Sequence, residues 1–224
     1  NKRLTFEIIF PGSFIMNDQP PKGHFSLFRV YSVSDIFTLT NAACGTLCLF
    51  LCLEYITVGT PYLIWLAFGF LPVALICDVL DGYVARWRKR TSRLGADLDS
   101  LADAVSFGVA PAVMGYTLGL RGFWDMAILI YFVSCGISRL ARFNVTRLDL
   151  VNDAGKVRYF EGTPIPSSLA IVAIMALMYS THATDGQGWL YKIQIWPGVL
   201  HLFTVLYAVN GTTMISERLR IPKW

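Results

Sequence analysis

The stretch "DVLDGYVARWRKRTSRLGADLDSLAD", residues 78–103, concentrates aspartates and arginines in a chain that is otherwise strongly apolar. Of the 224 residues, 54% are hydrophobic and only 15% are charged, whereas soluble domains carry about 25% charged residues. This deficit predicts a membrane protein. The net charge of +4 is too small and too dispersed for nucleic-acid binding, and an anionic membrane surface or substrate suits it better.

Six apolar stretches approach the roughly 20 residues that a helix needs to cross a bilayer. Turn-forming sequences rich in glycine and proline separate them. The sequence therefore predicts an all-α membrane protein with six transmembrane helices, over residues 38–58, 61–82, 101–120, 123–143, 165–181 and 194–214. We expect three parts: an N-terminal arm (1–37), the six-span domain (38–214) and a short tail (215–224). The mixed segment 25–41 predicts an interfacial amphipathic helix ahead of the first span.

The basic residues indicate the orientation of the spans. Six crossings place four Lys- and Arg-containing regions on one side: the N-terminal arm, 86–93, 139–158 and the C-terminal tail. Only Arg121 and Lys192 fall on the other side. Because cytoplasmic loops are enriched in Lys and Arg, both termini and the aspartate-rich stretch are expected to face the cytosol.

Four aspartates of the opening stretch fall on two predicted helix faces. Asp78 and Asp81 are three residues apart, and Asp99 and Asp103 are four apart, so each pair shares a face. Small residues lie on the same faces and let a ligand approach the backbone closely. They are Gly82, Ala85 and Gly95.

Four converging carboxylates would repel one another unless cations lie between them. Oxygen ligands favour Mg²⁺, Mn²⁺ or Ca²⁺ over zinc, and a pair of cations suits phosphoryl transfer, where Arg86 can oppose a phosphate. The alternative is a set of solvated loop charges. It accounts well for Asp97 and for the basic residues Arg88, Lys89, Arg90 and Arg93, but poorly for Asp78 and Asp81, which follow an apolar run directly.

The spacing D-x2-D-G-x2-A-R-x8-G-x3-D-x3-D, from Asp78 to Asp103, resembles the signature of the CDP-alcohol phosphotransferases, with every position filled. The resemblance implies that Asp78, Asp81 and Asp99 ligate two divalent cations, Mn²⁺ or Mg²⁺. It implies that Asp103 also contacts a metal and acts as the general base. The implied CDP-binding residues are Gly82, Ala85, Arg86 and Gly95 of the motif, with Thr40 and Asn41 of the first span.

Two further stretches are similar to the phosphatidylserine synthase branch of that family: "SRLARFNV" (138–145) and "FEGTPIPSS" (160–168). Membership would imply CDP-diacylglycerol and L-serine as substrates, with serine received by Arg139, Arg142 and Phe143. It would also imply a homodimer among membrane lipids, in the endoplasmic reticulum. On the residues alone, the two arginines are equally well explained as cytosolic topology signals.

Other functions stay open from the sequence. Phosphatidylinositol and phosphatidylglycerophosphate synthases share the motif but take a polyol or a phosphate-bearing acceptor. A cation channel or transporter could also carry intramembrane aspartates, although here they cluster at one membrane face. The three histidines and the glycosylation-type triplets at Asn144 and Asn210 are assigned no role, and the cysteines are expected to pack within helices.

Overall fold

The computed structural model describes residues 33–87, 93–152, 159–181, 191–216 and 220–222. Most of these residues are helical. The helices are α1 (Val33–Val58), α2 (Pro61–Trp87), α3 (Arg93–Asp103), a π-helical segment (Ala104–Val109), α4 (Ala110–Thr117), α5 (Phe123–Asn152), a 3₁₀ turn (Ile165–Ser167), α6 (Ser168–Ser180) and α7 (Thr204–Ile215). The strands are β1 (Tyr159–Glu161), β2 (Lys192–Ile195), β3 (Gly198–His201) and β4 (Arg220–Pro222).

Three helices of the described residues are long and apolar enough to cross a membrane: Ser34–Val58, Pro61–Trp87 and Phe123–Val145, with mean hydropathies of 1.9, 2.3 and 1.5. A shorter apolar helix runs over Ile165–Ser180. Large apolar side chains cover the outer faces, for example Phe50, Ile130 and Leu177, which are 62%, 67% and 65% exposed. An apolar exterior of this extent is typical of contact with lipid, and the chain is a membrane protein.

A tight turn connects α1 to α2. Gly59 adopts φ +71°, a conformation that suits glycine at a helix C-terminus, and its N–H donates to Tyr55 O at 2.9 Å. Pro61 then begins α2, where its missing N–H costs nothing. The apolar helices α1 and α2 are therefore adjacent in space as well as in sequence.

The third helical segment passes from α3 through the π-helical segment into α4 without a break. Ser106, inside the π-helical segment, donates its hydroxyl to Asn41 O of α1 at 2.9 Å. Gly45 permits this approach, since a Cβ there would lie 2.8 Å from Ser106 Cα. π-helical turns inside α-helices are frequent at functional sites, and this one follows Asp103 directly.

The hydrophobic core is formed by residues of α1, α2, the π-helical segment, α4, α5, α6 and α7. Tyr207 is fully buried; its hydroxyl donates to Pro111 O at 2.7 Å and its ring meets Phe132 edge-on at 5.2 Å. All five cysteines are buried and free, which confirms the expectation that they pack within helices.

The prediction of a sixth span over 194–214 was wrong in its first half. Residues 192–195 and 198–201 form an antiparallel hairpin, β2–β3, and only Thr204–Ile215 is helical. Pro197 lies in the turn of this hairpin, and β2 alternates β-branched Ile193 and Ile195 with polar residues, which favours strands over a helix. A second pair, β1–β4, aligns Tyr159 with Pro222. The fold is therefore mainly, but not entirely, α-helical.

Two other helical segments begin earlier than predicted. The first span begins at Val33 instead of 38, and the third helical segment covers 93–117 instead of 101–120. Polar residues at these ends lower the local hydropathy, so a hydropathy criterion leaves the ends out of the predicted spans. Most of the predicted N-terminal arm and interfacial helix lies outside the described residues.

Candidate active site

Three carboxylates converge where α2 and α3 meet. Asp78 of α2 and Asp99 and Asp103 of α3 each present an oxygen within 4.8 Å of the others. Asp103 is 9% exposed, and the other two are half-buried. Because this donor set contains only carboxylate oxygens, it fits a hard divalent cation such as Mg²⁺ or Mn²⁺ better than zinc.

Asp81, the fourth predicted ligand, lies beside this group and not within it. It is 7% exposed, and its carboxylate accepts a hydrogen bond from the Thr38 hydroxyl of α1. Three of the four predicted ligands are therefore brought together, and the fourth is held by a neighbouring helix.

Asn41 of α1 reaches the predicted base. It is fully buried, and its Nδ2 donates to Asp103 Oδ1 at 3.1 Å. Its Oδ1 is also buried and has no hydrogen-bond partner among the described residues. Asn41 therefore orients Asp103 and keeps an acceptor for a ligand.

Thr38 was not predicted from the sequence, although a signal for it exists. Thr38, Asn41 and Gly45 lie at i, i+3 and i+7 of α1 and share one face. Thr40, which was predicted, is exposed, and its hydroxyl donates to Ile36 O of its own helix at 2.8 Å. A contact of Thr40 with nucleotide stays a prediction.

The small residues of the motif leave open surface near the carboxylates. Around Gly82 the nearest atoms to an added Cβ are the Arg86 guanidinium nitrogens, at 3.9 Å, and Arg86 is exposed. Ala85 and Gly95 are half-buried. This surface has the room that the sequence predicted for a pyrophosphate, whose binding here stays a prediction.

A pocket opens between α3 and α5 and includes two of the carboxylates. Its lining residues are Ala96, Asp99, Ser100, Asp103, Arg139, Leu140, Phe143 and Asn144. Arg139 is half-buried, and its Nε is enclosed without a hydrogen-bond partner among the described residues. The pocket therefore combines a cationic donor with the predicted general base.

Arg139 and Arg142, which were predicted to act on one helix face, have different surroundings. Arg142 is exposed, and its Nη1 is 3.5 Å from the carbonyl oxygen of Ile215 at the end of α7. Phe143 lines the pocket and is 38% exposed. Of the two arginines, Arg139 is the one that lines the pocket.

Sequence analysis missed Ser100 and Asn144. Residues 96, 99, 100 and 103 form one stripe of α3, and residues 139, 140, 143 and 144 form one stripe of α5. Extending the stripes of Asp103 and Arg139 would have found both residues. Ser100 Oγ and Asn144 Oδ1 are 3.1 Å apart.

A second buried polar cluster surrounds Asp125 at the start of α5. Its carboxylate accepts from the N–H groups of Gly122 and His201, both at 2.8 Å, from the Thr204 hydroxyl at 2.7 Å and from the His201 ring. His201, to which the sequence assigned no role, is therefore paired with an acidic residue 76 positions away. The contacts attach the β2–β3 hairpin to α5, which is a structural role.

The sequence of this chain is similar to those of known proteins. Residues 31–209 match the sequence profile of the CDP-alcohol phosphatidyltransferase family. The chain is 40% identical over 205 residues to a CDP-diacylglycerol–serine O-phosphatidyltransferase of Saccharomyces cerevisiae, covering 89% of this chain and 74% of that protein. It is 34% identical to proteins of the same name from Methanocaldococcus jannaschii (70% of this chain, 66% of that protein) and Helicobacter pylori (66% and 59%).

The matched region includes the three converging carboxylates, Asp81, Asn41 and the pocket between α3 and α5. The profile covers well over half of the chain, and the yeast protein aligns with nearly all of it. The chain belongs to the CDP-alcohol phosphatidyltransferase family.

Proposed function

We propose that this protein is a phosphatidylserine synthase, which transfers the phosphatidyl group of CDP-diacylglycerol to the hydroxyl of L-serine and releases CMP. The observation that carries the proposal is the pocket that Asp103 and Arg139 both line. A carboxylate base and a guanidinium facing one small cavity match an acceptor that carries a hydroxyl and a carboxylate. The shared name of the relatives supports the same substrates.

In the proposed reaction Asp103 accepts the proton of the serine hydroxyl. The hydroxyl oxygen forms a bond to the phosphorus of the phosphatidyl group, and the bond from that phosphorus to the CMP oxygen breaks. Asn41 keeps the Asp103 carboxylate oriented through its 3.1 Å hydrogen bond. Holding acceptor and base in place supplies much of the rate enhancement in such a transfer.

Asp78, Asp99 and Asp103 are proposed to hold divalent cations, with Asp81 as the fourth ligand. The convergence of three carboxylate oxygens within 4.8 Å supports this assignment. Two cations, Mn²⁺ or Mg²⁺, would supply charge neutralisation at the pyrophosphate. Thr38 positions Asp81 beside the other carboxylates.

The CDP group is proposed to lie over the open surface beside α2 and α3. Gly82, Ala85 and Gly95 allow the pyrophosphate close to the backbone, and the exposed Arg86 can oppose its charge. Asn41 and Thr40 of α1 are the proposed nucleotide contacts. Asn41 has stronger support, because its enclosed Oδ1 is a hydrogen-bond acceptor that needs a donor.

Arg139 is proposed to bind the serine carboxylate. Its guanidinium lines the pocket, and its Nε needs a partner that a carboxylate would supply. Phe143 forms another part of the wall. Arg142, one helical turn farther along α5, is the outer member of the set, since its side chain is exposed.

The proposed membrane arrangement has six crossings: α1, α2, the continuous segment from α3 to α4, α5, α6 and the shorter α7. The domain would cover 38–214, preceded by an arm (1–37) with an interfacial helix and followed by a tail (215–224). The Lys and Arg distribution supports a cytosolic active site and cytosolic termini. A homodimer in the endoplasmic reticulum, which the family resemblance implies, completes the proposal.

An acceptor competition tests the function. Purified protein would receive CDP-diacylglycerol, Mn²⁺ and labelled L-serine, together with unlabelled inositol or glycerol 3-phosphate. We expect labelled phosphatidylserine and an equal amount of CMP, with little effect of either competitor. Phosphatidylinositol or phosphatidylglycerophosphate as the main product would refute the serine assignment, and cation flux without CMP release would indicate a channel.

A further inference from the structure

The pocket between α3 and α5 has polar groups that the transfer reaction alone does not require. Ser100 and Asn144 both line it. Neither residue is needed to hold a cation, to act as the base or to bind the serine carboxylate. They are held together, since the Ser100 hydroxyl lies 3.1 Å from Asn144 Oδ1.

Asp97 sets the direction of the Asn144 amide. Asn144 Nδ2 lies 3.5 Å from Asp97 Oδ1, and an ionised carboxylate only accepts hydrogen bonds. The amide NH₂ must therefore face Asp97, which turns the amide oxygen toward Ser100. Asp97 is exposed, and this contact gives it a purpose that its sequence position did not indicate.

The serine molecule has three polar groups, and the proposed function assigns partners to only two of them. Asp103 faces the hydroxyl, and Arg139 faces the carboxylate. The ammonium group needs acceptors, because a buried charge without partners is costly. Arg139 repels an ammonium group, and the proposed cations would engage the oxygens of Asp99 and Asp103.

We infer that Asn144 Oδ1 and Ser100 Oγ bind the ammonium group of serine, with Asp97 as a positioning residue for the Asn144 amide. The inference rests on the proposed function and deepens it. Both oxygens are neutral acceptors with lone pairs to spare. They stand on the α3 and α5 stripes that also carry Asp103 and Arg139. The amino acid would thereby be recognised at three points around its α-carbon.

The test separates recognition of the ammonium group from recognition of the rest of the molecule. 3-Hydroxypropanoate keeps the hydroxyl and the carboxylate of serine and lacks the ammonium group. Its inhibition constant is measured against labelled serine, alongside the KM and kcat for serine. The proteins are the wild type, Asn144→Leu, Ser100→Ala and Asp97→Ala, each with CDP-diacylglycerol and Mn²⁺.

For Asn144→Leu we expect the serine KM to rise by about 10-fold to 100-fold, the usual effect of losing a hydrogen bond to a charged group. The inhibition constant of 3-hydroxypropanoate should stay within about threefold of the wild type, because no partner of that molecule is removed. Ser100→Ala and Asp97→Ala should also raise the serine KM relative to the inhibition constant of 3-hydroxypropanoate. The factors should be smaller, with kcat largely kept.

A matched control exists where the 3₁₀ turn before α6 contacts α7. Asn210 Nδ2 donates to Ser167 Oγ at 3.0 Å, which forms another Asn–Ser pair, and neither residue lines the pocket. Asn210→Leu should leave the ratio of the two constants unchanged. A change equal to that of Asn144→Leu would show a general effect of losing such a pair and would overturn the inference.

Two more outcomes would overturn it. One is an equal loss of affinity for serine and 3-hydroxypropanoate in Asn144→Leu, which would mean that Asn144 shapes the pocket as a whole. The other is a wild-type protein that binds 3-hydroxypropanoate as tightly as serine, which would mean that the pocket gains nothing from the ammonium group. Failure of the proposed function looks different, since the wild-type protein would then form no phosphatidylserine.

Discussion

Asn41 of α1 donates a hydrogen bond of 3.1 Å to Asp103 at the end of α3, across 62 residues of sequence. The backbone of Asn41 is held in turn by Ser106, just beyond Asp103. This pair of contacts joins the first helix to the proposed general base and to the π-helical segment that follows it.

Asn41→Leu tests this relationship. The substitution keeps the branched heavy-atom skeleton of the side chain and removes the donor to Asp103, so we expect kcat to fall by about 10-fold to 100-fold while the serine KM changes little. Thr46→Val is the control, because the Thr46 hydroxyl donates to Ala42 O of its own helix, at 2.8 Å. An unchanged kcat with a raised CDP-diacylglycerol KM would assign Asn41 to the nucleotide alone.

Asp103→Asn and Asp78→Asn separate the base from a pure ligand. Both carboxylates belong to the same converging group, but only Asp103 is proposed to accept a proton. We expect Asp103→Asn to abolish turnover and largely to keep CDP-diacylglycerol binding, measured by equilibrium binding in detergent with Mn²⁺. Asp78→Asn should weaken that binding. Equal loss of binding in the two variants would contradict the base assignment.

Arg139→Gln and Arg142→Gln compare two arginines one helical turn apart. Arg139 lines the pocket, whereas Arg142 reaches Ile215 O. Loss of a charge-assisted contact to the serine carboxylate should raise the serine KM by about 10-fold to 100-fold in Arg139→Gln. The change in Arg142→Gln should be about threefold or less. The reverse order would move the carboxylate contact to Arg142.

Gly45→Ala tests the close approach of α1 to the π-helical segment. The added methyl would lie 2.8 Å from Ser106 Cα, and overpacking of this kind costs about 1–3 kcal/mol. We expect the Tm of the purified protein to fall by roughly 2–10 °C. Gly69→Ala, where nothing lies within 4 Å of the added Cβ, should keep or raise the Tm. Equal Tm values for the two variants would disprove the tight contact.

The sequence predicted the parts of this protein that depend on local spacing. Helical periodicity placed Asp99 and Asp103 on one face, and the structure brings Asp78 to them. Hydropathy found the long spans but could not distinguish the β2–β3 hairpin from a helix, because both are apolar. Contacts such as Asp125 with His201, 76 residues apart, depend on tertiary packing and leave no local pattern.

The pocket residues also divide into those that the sequence could predict and those that it could not. Arg139 and Phe143 were predicted through resemblance, while Ser100 and Asn144 emerged only when α3 and α5 were seen to face each other. A helix stripe can be extended from a known residue, but the choice between Arg139 and Arg142 required the position of Ile215. Side-chain direction at a helix junction is thus the information that the sequence lacked.

The most direct measurement follows the serine hydroxyl oxygen through the reaction. Purified protein would receive CDP-diacylglycerol, Mn²⁺ and L-serine labelled with ¹⁸O in its hydroxyl, and both products would be analysed by mass spectrometry. Attack of that oxygen on phosphorus predicts phosphatidylserine that retains the label and CMP that carries none. Unlabelled phosphatidylserine, or CMP released without phosphatidylserine, would contradict the account.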